Sequence, residues 1–407
     1  MMFNNQIKNI GPGTLVAAAF VGPGTITLCT IAGIKFGMTL LWTLLIAVIA
    51  SIFLQSIAVK IGLIGRKSII GALKDEIESI GLKYSIIFLI FSAIIIGNTA
   101  YEAGNITGAV LGMETIFGPL NLNLRSFSIN IYAIISGLFA AMLLWIGKYK
   151  IIERILIAMV ILMSVSFFFT ALITGPSFLN IVLGLFSFEV PEGSLLTIIG
   201  LVGTTIVPYN LFLHAELVKE KWANPNDLNF AMKDMVIALG LGGLISLSII
   251  VTASGARALE ISSLVDLALG LEPMFGSFSK YFLAIGFFAA GITSSITAPL
   301  AAAYVVCGCF NWSTDLKARH FKIIWLLIIV IGVFFSATGI KPIIIIQFAQ
   351  VTNGILLPII AGLLLWMVNK SKLLAHIKNT NLQNGIGITI VLISLFLSIR
   401  TLILVFK

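Results

Sequence analysis

The stretch that decides the fold is LVAAAFVGPGTITLCTIAGI, residues 15–34, which is apolar enough to span a bilayer but carries Gly22-Pro23-Gly24-Thr25 at its middle. Proline removes a backbone donor and clashes with the preceding helical turn, and the flanking glycines let the chain leave helical geometry. We therefore predict a helix that breaks at mid-membrane depth. Irregular backbone is tolerated at that depth only where it is buried in protein or lines a cavity, so the break predicts a site.

A second apolar stretch has the same interruption. Residues 195–217 read LLTIIGLVGTTIVPYNLFLHAEL, and Pro208 lies close to half the useful chain length after Pro23. Two broken segments in corresponding positions of two halves are typical of secondary transporters built from inverted repeats, whose substrate site lies between them. The alternative is that both prolines merely kink packed helices, but a matched pair with flanking glycine and threonine favours the site.

The composition excludes an ordinary soluble protein. The chain has 407 residues, of which 59% are hydrophobic and only 10% charged, whereas charged residues make up about 25% of soluble domains. The net charge of +9 does not indicate nucleic-acid binding, because the basic residues lie in short connectors and form no patch. There is no P-loop motif of the type Gly-x-x-x-x-Gly-Lys-Ser/Thr, so a P-loop ATPase on this chain is excluded. We expect no enzyme activity and no cofactor.

The apolar segments, each near the roughly 20 residues that a spanning helix needs, predict an all-α polytopic protein embedded in a lipid bilayer. We place eleven spans, at residues 11–34, 38–63, 84–112, 128–147, 152–174, 195–218, 230–254, 279–308, 322–339, 342–367 and 385–406. They form a single transmembrane domain of two repeats, about 11–174 and 195–367, with an extra helix at 385–406.

The basic residues predict the orientation of the chain. With the N-terminus in the cytoplasm, all but seven of the 25 lysines and arginines lie in or beside connectors on the cytoplasmic side. This bias follows the positive-inside rule and places the C-terminus outside the cell. The seven exceptions are Lys35, Arg125, Arg257, Lys280, Lys341, Arg400 and Lys407. We expect a multi-pass protein of the cell membrane.

Several runs resemble the Nramp family of proton-coupled divalent-metal transporters. They are GPGTLVAAAFVGPGTITLCTIAGIKFGMTLLW (11–42), LLIAVIASIFLQSIAVKIGLIGR (44–66), EAGNITGAVLGMETIFGPL (102–120), GTTIVPYNLFLHAEL (203–217) and AAGITSSITAPLAA (289–302). The resemblance covers most of the chain. It implies the LeuT-like fold, a 5+5 inverted repeat whose first and sixth helices are unwound around a central site.

The metal ligands of the family are replaced at both breaks. The family pattern Asp-Pro-Gly-Asn stands here as Gly22, Pro23, Gly24 and Thr25, so both oxygen ligands that the resemblance implies are lost. In the sixth helix, Ala-x-x-Met-Pro-His stands as Thr204, Thr205, Ile206, Val207, Pro208 and Tyr209, and the methionine sulfur is lost as well. The family's later histidine in that helix is matched by His214.

These replacements predict an altered substrate. Manganese and iron bind well to a carboxylate with amide, carbonyl or sulfur ligands, whereas glycine, threonine and backbone carbonyls supply dipoles without charge. An ion that keeps part of its water, as Mg²⁺ does, is penalised less, and so is a larger polar solute received by freed amides. The candidate substrate-binding residues are Gly22, Thr25, Thr204, Val207, Tyr209 and Gln347, although each threonine could instead bond its own helix.

The third span carries a polar face formed by Asn98, Glu102 and Asn105, spaced i, i+4, i+7. An intramembrane carboxylate is by default a candidate for proton transfer or cation binding. The resemblance implies an Asp-x-x-Glu proton pair, of which Glu102 matches the first acid and Asn105 replaces the second; the family's ninth-helix arginines have no match in 323–337. The coupling candidates are Glu102, Asn105 and His214, with a proton as the coupling ion. A structural network of Glu102 with Tyr101 or Asn98 is the alternative.

Three functions therefore stay open. The first is a secondary-active cation transporter of altered selectivity that works by alternating access. The second is a carrier of a non-metal small polar solute, and the third is a non-transporting relative that acts as a receptor or scaffold. The sequence leaves the metal ligands, if any, unknown.

Overall fold

The computed structural model describes residues 12–124, 127–147, 149–174, 177–255, 279–337, 342–370, 374 and 377–405. Within these residues the chain is almost entirely helical, with one short hairpin. The helices are α1 Gly13–Phe20, α2 Pro23–Phe36, α3 Leu41–Leu63, α4 Ile69–Glu76, α5 Ile80–Phe117, α6 Ile131–Ile146, α7 Tyr149–Thr174, α8 Phe178–Phe186, α9 Leu195–Thr205, α10 Pro208–Lys221, α11 Leu228–Ser254, α12 Ser279–Phe310, α13 Arg319–Ala337, α14 Pro342–Lys370 and α15 Asn381–Val405. The strands are β1 Asn121–Leu124 and β2 Phe127–Asn130.

The expected all-α membrane architecture is confirmed, and helix covers most of each of the eleven expected spans, although residues 128–130 of the fourth span belong to β2. The first span consists of α1 and α2, and the sixth consists of α9 and α10. By length and composition, seven helices within the described residues can cross a membrane, with α9 and α10 taken together as one of them. Parts of the sequence predictions lie outside the described residues: position 11, positions 338–339 and 406 of the spans, and the basic residues Lys8, Arg125, Lys148, Arg257, Lys341, Lys372 and Lys407.

The connectors contain structure that the sequence analysis missed. The strands β1 and β2 pair antiparallel, with Asn121 opposite Asn130, in the link from α5 to α6. Short helices α4 and α8 also lie between spans. Their lengths of 8 and 9 residues are far below the roughly 20 that a span requires, so a search for spans passes over them.

Burial separates central from peripheral helices. In α12 the apolar stretch is 89% buried within the protein, and in α9 with α10 it is 83% buried. In α15 the corresponding stretch is only 28% buried, and large side chains such as Leu392 are exposed. Because lipid is itself apolar, the peripheral helices can present such side chains to the bilayer, while α9, α10 and α12 form the centre.

Glycines of α5 allow this helix to pack closely against α12 and against the first helix break. A Cβ at Gly112 of α5 would lie 2.5 Å from the carbonyl oxygen of Ala284 in α12. A Cβ at Gly108, one turn earlier, would overlap the ring of Pro23 at the first break. Small residues at such contacts are the usual means by which membrane helices pack backbone to backbone. The first break is therefore held directly against α5.

The connector helix α4 is fixed to the end of α12. Its first turn is capped by Ser68, whose Oγ accepts a 2.9 Å hydrogen bond from the backbone N–H of Gly71. The ammonium of Lys74 donates 2.8 Å hydrogen bonds to the carbonyl oxygens of Gly308 and Cys309 and to Oδ1 of Asn311. Lys74 thus satisfies carbonyls at a helix C-terminus, where a positive charge is also favoured by the helix dipole.

Lys74→Met is expected to lower the stability of the folded protein by about 2 kcal/mol, since hydrogen bonds to charged groups contribute roughly 1.5–3 kcal/mol and methionine keeps only the apolar stem. Lys67→Met is the matched control, because Lys67 forms an exposed ion pair with Asp75, and such pairs contribute about 0–1 kcal/mol. The prediction is checked by the thermal unfolding midpoints of the two variants in detergent. Equal midpoints for the two variants would show that the Lys74 contacts do not stabilise the fold.

Candidate functional site

The two helix breaks have nearly the same backbone form. Val21 has φ −98° and ψ 73°, and Ile206 has φ −107° and ψ 80°. Gly22 and Val207 follow in extended conformation, and a proline then begins the next helix in each case. Since Pro23 and Pro208 have no N–H, the carbonyls four residues before them receive no helical hydrogen bond. The expected unwinding of the first and sixth spans is confirmed.

The two breaks lie against each other and are joined by reciprocal hydrogen bonds. The hydroxyls of Thr25 in α2 and Thr204 in α9 are 2.8 Å apart. In the other direction, Nδ2 of Asn210 in α10 donates to the carbonyl oxygen of Val16 in α1 at 3.2 Å. The half after each break therefore contacts the half before the other.

The threonine hydroxyls have a defined direction. Thr25 Oγ1 donates to the carbonyl oxygen of Phe20 at 2.9 Å, so the shared proton between the two threonines comes from Thr204. Thr25 thus satisfies a carbonyl that the break sets free. Thr205, by contrast, bonds Leu201 in its own helix at 2.7 Å. In this conformation the two candidate threonines are each other's partners and face the junction of the breaks.

The space beside Gly22 is filled from α12 and α5. A Cβ at Gly22 would lie 2.8 Å from Oγ of Ser294 and 3.5 Å from the hydroxyl of Tyr101. The ring of Tyr101 packs edge-on against Tyr209, with centroids 5.3 Å apart and planes at 70°. Val207 and Tyr209 are both buried. The first break is thus surrounded by hydroxyl groups.

Glu102 lies on α5 between α12 and α13 and is fully buried. Its Oε2 accepts a 3.2 Å hydrogen bond from Nδ2 of Asn105, and the hydroxyl of Ser295 lies beside the carboxyl group. A Cβ at Gly332 of α13 would lie 2.5 Å from Cγ of Glu102. The third member of the polar face, Asn98, donates to the carbonyl oxygen of Ala298 in α12 at 3.1 Å.

Tyr209 lies at the second break beside Tyr101. It follows Pro208 directly, and its buried hydroxyl has no hydrogen-bond partner among the described residues. Tyr101 borders Gly22 and directly precedes Glu102 on α5. The sequence alternative of a network between Glu102 and Tyr101 is thus compatible with a site, because the same tyrosine also borders the break.

The remaining two candidates are further from this cluster. Nδ1 of His214 is 2.8 Å from Oε1 of Gln55 in α3, so the imidazole faces α3. Gln347 is half-buried on α14. Its neighbour Ile346 packs against α5 at Gly104, so Gln347 lies on a helix that borders the site.

Sequence reasoning missed the contribution of α12. Ser294, Ser295 and Thr297 are all fully buried, and the first two lie beside Gly22 and Glu102 respectively. The signal was the run Thr293-Ser294-Ser295 in an otherwise apolar helix, which is easily interpreted as side chains bonding their own backbone. No group of three or more His, Cys, Asp or Glu side chains that could hold a metal occurs within the described part of the chain.

Comparison with known proteins agrees with the family resemblance found in the sequence. A family model described as "Nramp: Natural resistance-associated macrophage protein-like" matches residues 13–404. The divalent metal cation transporter MntH of Staphylococcus haemolyticus is 26% identical, with 98% of this chain and 92% of the relative covered. MntH of Bacillus subtilis is 25% identical, with 86% and 81% covered.

Solved structures agree on the fold. The Eremococcus coleocola manganese transporter superposes with a TM-score of 0.79 at 18% identity, covering 98% of this chain and 87% of that one. Mhp1, a nucleobase-cation-symport-1 family transporter, superposes with a TM-score of 0.54 at 15% identity, covering 97% and 92%. With the two unwound helices, these likenesses confirm the expected LeuT-like fold.

Proposed function

The chain belongs to the Nramp family, and from this premise we propose that it is a secondary-active transporter that moves a divalent cation by alternating access and whose selectivity differs from that of a manganese transporter. The proposed substrate is Mg²⁺ bound with part of its hydration shell. The proposed binding residues are those around the breaks, with Gln347 on the bordering helix α14. The two repeats, about 11–174 and 195–367, would move relative to each other around this site.

The observation that carries the proposal is the chemistry at Gly22. No side chain projects from this position, and the nearest groups to its Cβ direction are the hydroxyls of Ser294 and Tyr101. Thr25 and Thr204 add two further hydroxyls at the junction. Hydroxyls and carbonyls do not offset the loss of a full hydration shell from Mn²⁺ or Fe²⁺, whereas Mg²⁺ dehydrates reluctantly and is usually bound with several waters.

Coupling to a proton is proposed for Glu102, with Asn105 as its hydrogen-bond partner. The carboxyl group is fully buried, and the residue before it on α5, Tyr101, borders the first break at Gly22. A carboxyl group in this position can exchange a proton in response to a cation at the breaks. His214, whose Nδ1 faces Gln55, is the second candidate for this route. The bias of basic residues supports a cytoplasmic N-terminus and an outer C-terminus.

A second candidate function is transport of a small polar organic solute. The hydroxyl groups of Thr25, Thr204, Ser294 and Tyr101, together with backbone freed at the breaks, can recognise such a solute without any metal. The receptor or scaffold hypothesis has less support. The relatives named above are transporters, and they match 98% and 86% of this chain.

Calorimetry with Mg²⁺ and Mn²⁺ on the purified protein, together with uptake of both ions into proteoliposomes, tests the proposal. We expect saturable Mg²⁺ binding and uptake, with no preference for Mn²⁺. Selective Mn²⁺ uptake would show that carbonyl and hydroxyl groups suffice for a largely dehydrated ion. Inertness toward both ions in folded protein would overturn divalent-cation transport in favour of an organic solute.

A further inference from the structure

We infer that Ser294 of α12 determines the specificity of the site, because its hydroxyl occupies the space that a side chain at position 22 would need. The inference rests on the proposed function and names the group that selects a water-bearing cation. Neither the pattern of the two breaks nor the family resemblance points to α12 as a source of such a group.

The hydroxyl group of Ser294 is buried beside the first break. Ser294 is fully buried, and its Oγ has no hydrogen-bond partner among the residues that the structure describes. Thr293 and Thr297 instead bond carbonyls of their own helix at 3.0 and 3.2 Å, whereas the Oγ of the adjacent Ser295 is, like that of Ser294, without a partner among the described residues. A buried hydroxyl without a partner is unfavourable. The arrangement is therefore explained if the hydroxyl is used by a water or an ion at the break.

The Ser294 hydroxyl also restricts the space at position 22. The Oγ of Ser294 lies 2.8 Å from the position of a Cβ on Gly22, which is closer than ordinary contacts of carbon with oxygen. A carboxylate on residue 22 and the hydroxyl of residue 294 thus compete for one volume. The Ser294 hydroxyl would have to turn away from the break to admit a side chain at position 22.

A hydroxyl and a carboxylate interact with divalent ions in different ways. A carboxylate binds a divalent ion directly and offsets the loss of its water. A neutral hydroxyl can both donate and accept, so it can hydrogen-bond a water molecule that stays on the ion. Exchange of a carboxylate at 22 for a hydroxyl at 294 therefore changes the preferred substrate from a dehydrated ion to a partly hydrated one.

Four proteins test the inference: the wild type, Ser294→Ala, Gly22→Asp and the double variant. We expect Ser294→Ala to weaken Mg²⁺ binding about tenfold, as the loss of one hydrogen bond to a charged complex would. Gly22→Asp alone should lower the thermal midpoint, and the double variant should recover it and gain Mn²⁺ affinity. Ser248→Ala is the matched control, because Ser248 is buried but bonds Leu244 of its own helix at 2.8 Å.

The outcomes separate this inference from the proposed function. If the wild type binds Mg²⁺ and folded Ser294→Ala binds it equally well, the inference is wrong and the proposed function stands. If the wild type binds neither ion, the proposed function fails and the role of Ser294 in cation selection fails with it. Additive effects of the two substitutions on the thermal midpoint would overturn the steric argument even without a ligand.

Discussion

Glu102→Gln is expected to reduce cation uptake by about 100-fold, the lower end of what a positioned proton-transferring side chain contributes, while the protein stays folded. Glutamine has nearly the shape of glutamate and keeps an oxygen that can accept from Nδ2 of Asn105, which donates to Glu102 Oε2 at 3.2 Å. It cannot release a proton. Uptake into proteoliposomes should therefore become independent of pH over the range in which wild-type uptake changes.

The matched control for this substitution is Glu114→Gln on the same helix. Glu114 is half-buried, and its Oε1 accepts a 2.6 Å hydrogen bond from Nδ2 of Asn130 at the start of α6, away from the breaks. We expect uptake within about twofold of wild type, since a substitution outside the site changes free energies by about 0.5 kcal/mol or less. Wild-type uptake and pH dependence in Glu102→Gln would show that Glu102 has only a structural role.

The fold could be predicted from the sequence because the sequence features that mark spans and helix breaks are local. Spans follow from apolar length, and the breaks follow from Pro23 and Pro208 with their flanking small or polar residues. The errors have an equally local cause. The strands β1 and β2 and the short helices α4 and α8 lie in connectors and are far shorter than the roughly 20 residues by which a span is recognised.

The candidate site was only partly accessible, because its composition depends on which helices meet. The sequence identified Thr25 and Thr204 separately, but the 2.8 Å hydrogen bond between them depends on how α2 and α9 cross. Ser294 has no motif of its own, and its relation to Gly22 appears only when α12 is packed against the first break. Spacing along one helix predicts a face, whereas contacts between helices far apart in sequence require the packed structure.

Gly108→Ala is expected to destabilise the protein and to impair transport, although alanine is the better helix former. A Cβ at Gly108 of α5 would overlap the ring of Pro23, so α5 and the first break must separate. Overpacking of this kind costs about 1–3 kcal/mol, which exceeds the gain of about 1 kcal/mol in helix propensity. Because Pro23 begins α2, the displacement reaches Thr25 and its bond to Thr204.

Thermal unfolding and uptake of Gly108→Ala should be compared with those of Gly240→Ala. Gly240 lies inside α11, and a Cβ there would meet no atom within 4 Å, so its replacement should leave the midpoint unchanged or raise it. If Gly108→Ala matched the control in both measurements, α5 could yield to the added methyl group, and the first break would not depend on close contact with that helix. A lower midpoint together with reduced uptake would instead show that the position of the break is set by α5, the helix that also carries Glu102, so that the carboxyl group and the breaks are held by one element.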